Sequence, residues 1–353
     1  MNIRGPAIHV VLMDGTFASL TEGRRTSIGR IHDLLAGMGP LPGQQRLRLH
    51  YTAGQQWNRW RTLNDLMMGR GLEAWISAAY GWLASAYAPG DLVFLLGYSR
   101  GAFAARSLSG MIGRIGLLRP EAATERNIRL AWRYYTRPGP PGETALLFRR
   151  RRCHDSAPIR MVGCFDAVMS LGVRLPLLWM LTEPRFRFHD AHLGAGVERG
   201  YQALALDETR AIFAPLLWDD ASSAAQVEQM WFRGCHPDIG GQLAGLEFAR
   251  PLANIPLVWM LDRAAAAGLP LPDDWRRLFP CDPAAPSVGS WRSWGKIFLL
   301  RAPRIVGRES SEALHPTVPR PYAGPALLTG HLAEEGVKRV RIGERFRGAG
   351  VAG

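Results

Sequence analysis

The sequence predicts an α/β fold with a mainly parallel sheet flanked by helices. Three observations point there. Four short runs rich in aliphatic and aromatic residues, 7–13, 92–96, 159–165 and 227–233, read as strands of the buried type. Stretches of helical period lie between them. The pentapeptide Gly97-Tyr98-Ser99-Arg100-Gly101 stands between one such run and a small-residue helix.

Residues 7–13 form a β-branched run ended by Asp14-Gly15-Thr16, which reads as a strand and a turn. Residues 28–38 have helical period, and residues 47–51 alternate weakly as a second strand. Residues 72–87 carry Leu72, Ile76, Ala79, Tyr80 and Leu83 on one helical face and stop at Pro89-Gly90. Residues 92–96 are continuously apolar, as a central parallel strand would be, and residues 101–115 return to helical period. Residues 138–142 are a Pro/Gly loop, and residues 149–152 are four consecutive arginines, a solvated charge run. Two further strands are expected at 159–165 and 227–233, with about 60 residues between them, and a helix at 252–267. Residues 270–286 are loop-rich. No internal repeat or low-complexity linker divides the chain. Residues 1–334 are therefore expected to form one α/β domain, with 335–353 a basic, glycine-containing tail.

Composition narrows the function classes. With 47% apolar and 21% charged residues over 353 positions, the chain is neither disordered nor in need of a disulfide staple. Its formal charge is +13, but 41 of its 43 basic residues are arginines spread along the chain with no nucleic-acid motif. No nucleic-acid partner is expected. Cys153, Cys164, Cys235 and Cys281 form no CxxC pair, so buried free thiols are expected rather than a metal site or a disulfide framework. Residues 1–11 lack the layout of a signal peptide, and no run of about 20 apolar residues occurs. These features predict a chain made as a soluble cytoplasmic protein, open to export by a system that reads no cleavable signal.

The chemistry is expected at Ser99. A GxSxG sequence alone is a weak signal. Here an apolar strand precedes it and Ala102, Ala104 and Ala105 follow it, which is the strand–turn–helix context of a nucleophile elbow. Such a turn forces the serine into strained backbone angles and sets it at a helix N-terminus, where the Arg100 N–H and the helix dipole favour an oxyanion. A serine nucleophile needs a base, and the base an orienting acid. Asp166 follows the strand at 159–165 and His236 follows the strand at 227–233. Each sits just past a strand's carboxyl end, where open α/β sheets hold their chemistry. Asp238 competes as the acid, with a turn-shaping role as its alternative. His189, His192 and His315 are weaker bases, because no clear buried strand precedes them. The second oxyanion donor is expected from the Asp14-Gly15-Thr16 loop, through the Thr16 or Phe17 N–H, with Asp14 bracing the loop. The alternative there is a plain Asp-Gly turn.

These stretches carry a resemblance. Met13 to Phe17, Gly90 to Arg106, Gly163 to Val168, Ala203 to Glu208 and Trp231 to Gly241 occur in the order found in the α/β-hydrolase family that includes the type VI secretion phospholipase effectors, and the chain resembles that family over about residues 8–325. The resemblance places the family's serine, acid and histidine on Ser99, Asp166 and His236. It implies an ester or lipid substrate, transient contact with a membrane surface, and a secretion-machinery or immunity partner. Two positions depart from the family pattern: Ala167 stands where a threonine usually follows the acid, and Gln242 stands where a third glycine often follows Gly240-Gly241. The expected function is a serine hydrolase of carboxylic esters that passes through an acyl-enzyme and requires no cofactor or metal. A non-catalytic α/β scaffold or binding protein is the alternative. The apolar run Leu175 to Leu181, with Trp179, reads either as core helix or as a lid that dips into a lipid interface.

Overall fold

A computed structural model describes residues 5–42, 45–54, 70–168, 193–219, 226–291 and 299–336. The run at 175–181, His189, His192 and the tail beyond residue 336 lie outside the described residues. The strands are β1 (Ala7–Met13), β2 (Arg46–Thr52), β3 (Leu92–Tyr98), β4 (Met161–Phe165), β5 (Arg199–Ala205), β6 (Gln226–Phe232), β7 (Ile305–Val306), β8 (Glu312–Leu314) and β9 (Leu327–Leu328). The described helices are α1 (Ser27–Ala36), α2 (Arg70–Ala86), α3 (Arg100–Ile115), α4 (Glu125–Tyr135), α5 (Glu143–Arg152), α6 (His236–Gly240) and α7 (Arg250–Ala266). Seven strands pair in the order β2-β1-β3-β4-β5-β6-β8, every pair parallel, and β7 with β9 forms a small separate ladder. This is the α/β architecture the sequence predicts.

Strand periodicity builds the two layers. Val11, Met13, Val93, Leu95, Val162 and Cys164 point into a core shared with α2, α3 and α4. Their neighbours Val10, Leu12, Phe94, Leu96, Met161 and Phe165 point the other way, into a core shared with α1 and α7. Complete burial of such side chains contributes about 1.5–3 kcal/mol each, which explains why these strands read as largely apolar runs.

The topology fixes where a ligand can sit. From β1 the chain steps outward to β2, then returns across β1 to β3 and continues to β4, β5 and β6. Strand order therefore reverses at β1, and the carboxyl ends of β1 and β3 flank the crevice that this reversal opens. Residues 14–18 and Ser99 are the loops at those two ends.

Two expectations need correction. A strand does precede His315: β8 is only three residues long, but it pairs with β6 and is buried at both ends. Cys281 is exposed, whereas Cys153, Cys164 and Cys235 are buried free thiols. The four arginines at 149–152 end α5 and are exposed, where a helix C-terminus favours positive charge.

Candidate active site

Ser99 occupies the turn from β3 into α3 with φ 56 and ψ −120, a left-handed-side conformation that costs a non-glycine residue on the order of 1–3 kcal/mol. Close packing enforces the turn. A methyl group on Gly101 would lie 2.1 Å from the Met13 carbonyl oxygen, so α3 starts hard against the end of β1. The Ser99 N–H donates to the Phe165 carbonyl at 3.0 Å, which ties the elbow to the end of β4.

The structure brings Ser99, Asp166 and His236 together, although 137 residues separate Ser99 from His236. Ser99 Oγ lies 2.9 Å from His236 Nε2, and His236 Nδ1 lies 2.6 Å from Asp166 Oδ2. An ionised carboxylate only accepts, so the Nδ1 proton faces Asp166 and the Nε2 lone pair faces the serine hydroxyl. Asp166 is fully buried, and its own backbone has φ 43 at the end of β4. Burial opposes charge on this carboxyl, but the Arg304 guanidinium and the His236 hydrogen bond outweigh it and hold the pKa well below the carboxylate range.

Arg304 and Glu208 are the residues sequence reasoning missed. Arg304 is 5% exposed and donates to both Asp166 oxygens, through Nη1 to Oδ1 and through Nη2 to Oδ2 at 2.8 Å. It also holds the Phe213 carbonyl at 2.7 Å. Phe213 in turn stacks on His236 with ring centroids 4.6 Å apart, and Tyr98 covers the imidazole from 4.9 Å. Glu208 accepts the His236 N–H at 3.1 Å while forming a forked pair with Arg210. Glu208 falls inside a stretch that carries the resemblance, so its buried carboxylate was within reach of the sequence. Arg304 lies in a loop, 138 residues from Asp166, and no local pattern marks it.

The competing residues lie elsewhere in function. Asp238 accepts from the Cys235 N–H at 2.8 Å and the Val288 N–H at 2.9 Å, which shapes the turn into α6. His315 stacks on Phe232 at 4.6 Å and shares a hydrogen bond with Thr317, and burial pulls its pKa down to about 4. Among the described residues no three His, Cys, Asp or Glu side chains gather to hold a metal ion.

The loop after β1 closes on the elbow. A methyl group on Gly15 would lie 2.5 Å from the Tyr98 ring and 3.4 Å from Ser99 Cβ. Asp14 braces this loop by accepting from the Gly15 N–H (2.7 Å), the Thr26 hydroxyl (2.7 Å) and the Tyr51 hydroxyl (2.8 Å). Thr26 is also the N-cap of α1, so one carboxylate joins three elements. Burial raises the Asp14 pKa from its ordinary 3.8 to about 6 despite those three bonds. The folded state therefore holds this proton more tightly than the unfolded chain. The resulting stabilisation is present below about pH 4 and is lost as pH rises through about 6. Asp14→Asn is expected to flatten the pH dependence of the melting temperature across that window. An unchanged slope in the variant would contradict the assignment.

Arg100 opens α3 directly after Ser99, with its N–H in the first turn of that helix. The Gly15 N–H is engaged by Asp14, which removes it from the donors this loop could give to an oxyanion. The Thr16 hydroxyl is buried without a partner among the described residues.

Comparisons with known proteins place this geometry in context. The family model of the type VI secretion system (T6SS) phospholipase effector Tle1-like catalytic domain matches residues 8–263. The uncharacterized protein YEL023C of Saccharomyces cerevisiae is 32% identical over 166 residues, covering 44% of this chain and 23% of that protein. The Tle1 effector, solved bound to the VgrG spike of the type 6 secretion system, is 16% identical with a TM-score of 0.40, covering 67% of this chain and 51% of that one. An uncharacterized protein from Pseudomonas aeruginosa is 16% identical with a TM-score of 0.45, covering 78% of this chain and 49% of that one. The chain thus spans about a quarter of the yeast relative and about half of each solved chain.

Proposed function

The chain belongs to the T6SS Tle1-like phospholipase effector family through its catalytic domain, and from that premise we propose that it is a serine hydrolase of carboxylic esters, with lipids or phospholipids as substrates. The observation that carries the reading is the relay from a strained Ser99 through His236, 2.9 Å away, to Asp166, a further 2.6 Å on. Ser99 Oγ attacks the ester carbonyl while Nε2 of His236 takes its proton. Asp166 fixes the imidazole and stabilises the imidazolium that forms. The tetrahedral oxyanion lies between the N–H at the start of α3, from Arg100, and the loop N–H groups of Thr16 and Phe17. His236 then returns the proton to the leaving alcohol, and an acyl group remains on Ser99. Water, deprotonated by the same imidazole, releases the acid and restores the hydroxyl.

A non-catalytic scaffold would have no use for the strain at Ser99 or for a buried, ionised carboxylate behind a histidine. The family also supplies the proposed route and partners: export by the type VI secretion machinery, and contact with a membrane surface where the lipid resides. Purified protein should release fatty acid from phospholipid vesicles and p-nitrophenol from p-nitrophenyl butyrate. Absence of turnover on every carboxylic ester tried would leave the scaffold reading in its place.

A further inference from the structure

We propose that Gln242 is the positioning residue of the oxyanion hole: it pins the Thr16 carbonyl so that the Phe17 N–H faces the developing charge. This inference rests on the hydrolase reading above. The Ala18 N–H donates to the Gly15 carbonyl at 3.0 Å, which closes residues 15–18 as a β-turn. Phe17, the third residue, has φ 64, while Thr16 is not among the residues of positive φ. That combination is a type II turn. Types I and II differ by a rotation of about 180° of the central peptide, here the one joining Thr16 to Phe17. Type II favours glycine at the third position, and a phenylalanine there costs about 1–2 kcal/mol. The Phe17 side chain is 42% exposed, so burial of its ring does not hold the backbone there. Left to its own preferences, the loop would turn this peptide over.

Gln242 supplies the restraint. Its Nε2 donates to the Thr16 carbonyl at 2.7 Å, across 226 residues of sequence. The Tyr98 hydroxyl donates to Oε1 of the same amide at 3.2 Å, which decides which end of the amide meets Thr16. Burial holds the Tyr98 phenol well above its ordinary pKa, so it remains a donor. In a planar trans peptide the C=O and the following N–H point in opposite directions. Holding the Thr16 oxygen toward Gln242 therefore turns the Phe17 N–H away from it, toward the crevice beside Ser99. Reversal of the peptide would present the Thr16 carbonyl to the oxyanion in place of a donor.

Steady-state kinetics on p-nitrophenyl butyrate test the inference. Gln242→Ala should lower kcat about a hundredfold, the lower end of the cost of one lost oxyanion donor, with KM little changed. Gln242→Glu, which still accepts from Tyr98 but at neutral pH cannot donate to Thr16, should lose as much. Glycine takes positive φ freely, so in a Phe17→Gly background the Gln242→Ala loss should shrink to less than about tenfold, a coupling that a purely structural role would not produce. Thermal melts of each variant check folding. Wild-type kcat in Gln242→Glu, or an equal loss in both backgrounds, would overturn the inference. An inactive wild-type protein would instead overturn the hydrolase reading and this inference with it.

Discussion

Ser99→Ala is expected to lower kcat on a soluble ester by about 10⁶-fold, the scale seen when a serine nucleophile is removed from a triad. The fold should survive. The substitution removes one hydroxyl from a side chain that is 7% exposed, and alanine inherits the same turn between β3 and α3. Melting temperature should therefore change little while turnover disappears. His236→Ala should be nearly as severe, and the double variant no worse than either single one, because the members of such a relay act as a unit. The histidine assignment is exposed to a direct contrast. His315→Ala should retain turnover, since His315 packs on Phe232 and bonds Thr317. If His315→Ala abolished hydrolysis and His236→Ala did not, the base would have to be reassigned.

Asp166→Asn is expected to cost about 10⁴-fold in kcat, because an amide no longer holds the imidazole in the required tautomer. A second effect follows from Arg304, and it sets this protein apart from a relay with an unaccompanied carboxylate. Asp166 is fully buried and Arg304 is 5% exposed. Neutralising the aspartate leaves a buried guanidinium without its counter-ion, at a cost of about 3–5 kcal/mol. Asp166→Asn should therefore melt far below the wild type as well as losing activity. Adding Arg304→Met removes the uncompensated cation and should recover most of the stability without recovering turnover. Measured kcat and denaturant midpoints for the two single variants and the double variant check both parts. The pH dependence has a definite sign. The Asp166 carboxyl is held below its ordinary value of 3.8 in the folded state, so its contribution is complete above about pH 4 and is lost as pH falls further. In the double variant that acid sensitivity should be reduced.

Much of the fold was legible wherever burial on both faces left an unbroken apolar run. β3 has this character, β1 has it apart from the buried His9, and their helical partners follow the apolar stripes at 28–38 and 72–87. β5 was not legible. Its sequence, Arg-Gly-Tyr-Gln-Ala-Leu-Ala, has no β-branched residue, and the fully buried Gln202 breaks the pattern. That glutamine is accommodated by donating to the Leu216 carbonyl at 2.8 Å, a partner visible only in three dimensions. β8 was hidden by its length of three residues. At the candidate site, Ser99 and Asp166 stood out because each follows a strand immediately, and His236 because only three residues separate it from the end of β6. The contest between Asp166 and Asp238 was not decidable locally; it turns on which carboxylate reaches the ring nitrogen across the sheet. Arg304 and Gln242 act over 138 and 226 residues of sequence; no local pattern marks Arg304, and the motif that Gln242 follows does not show that its amide reaches Thr16. The positive φ at Phe17 was equally unreadable, since phenylalanine is among the residues least suited to it.

The proposed roles of Ser99 as nucleophile, His236 as its base and Asp166 as the group that holds the imidazole meet in one reaction. The most direct test is reaction with a fluorophosphonate, which forms a stable phosphonyl ester only with an activated serine, followed by intact mass and peptide mapping. One phosphonyl group should add per chain, mapped to Ser99, absent in Ser99→Ala and strongly slowed in His236→Ala. A folded wild-type protein that takes up no label, or takes it up on another residue, would contradict it.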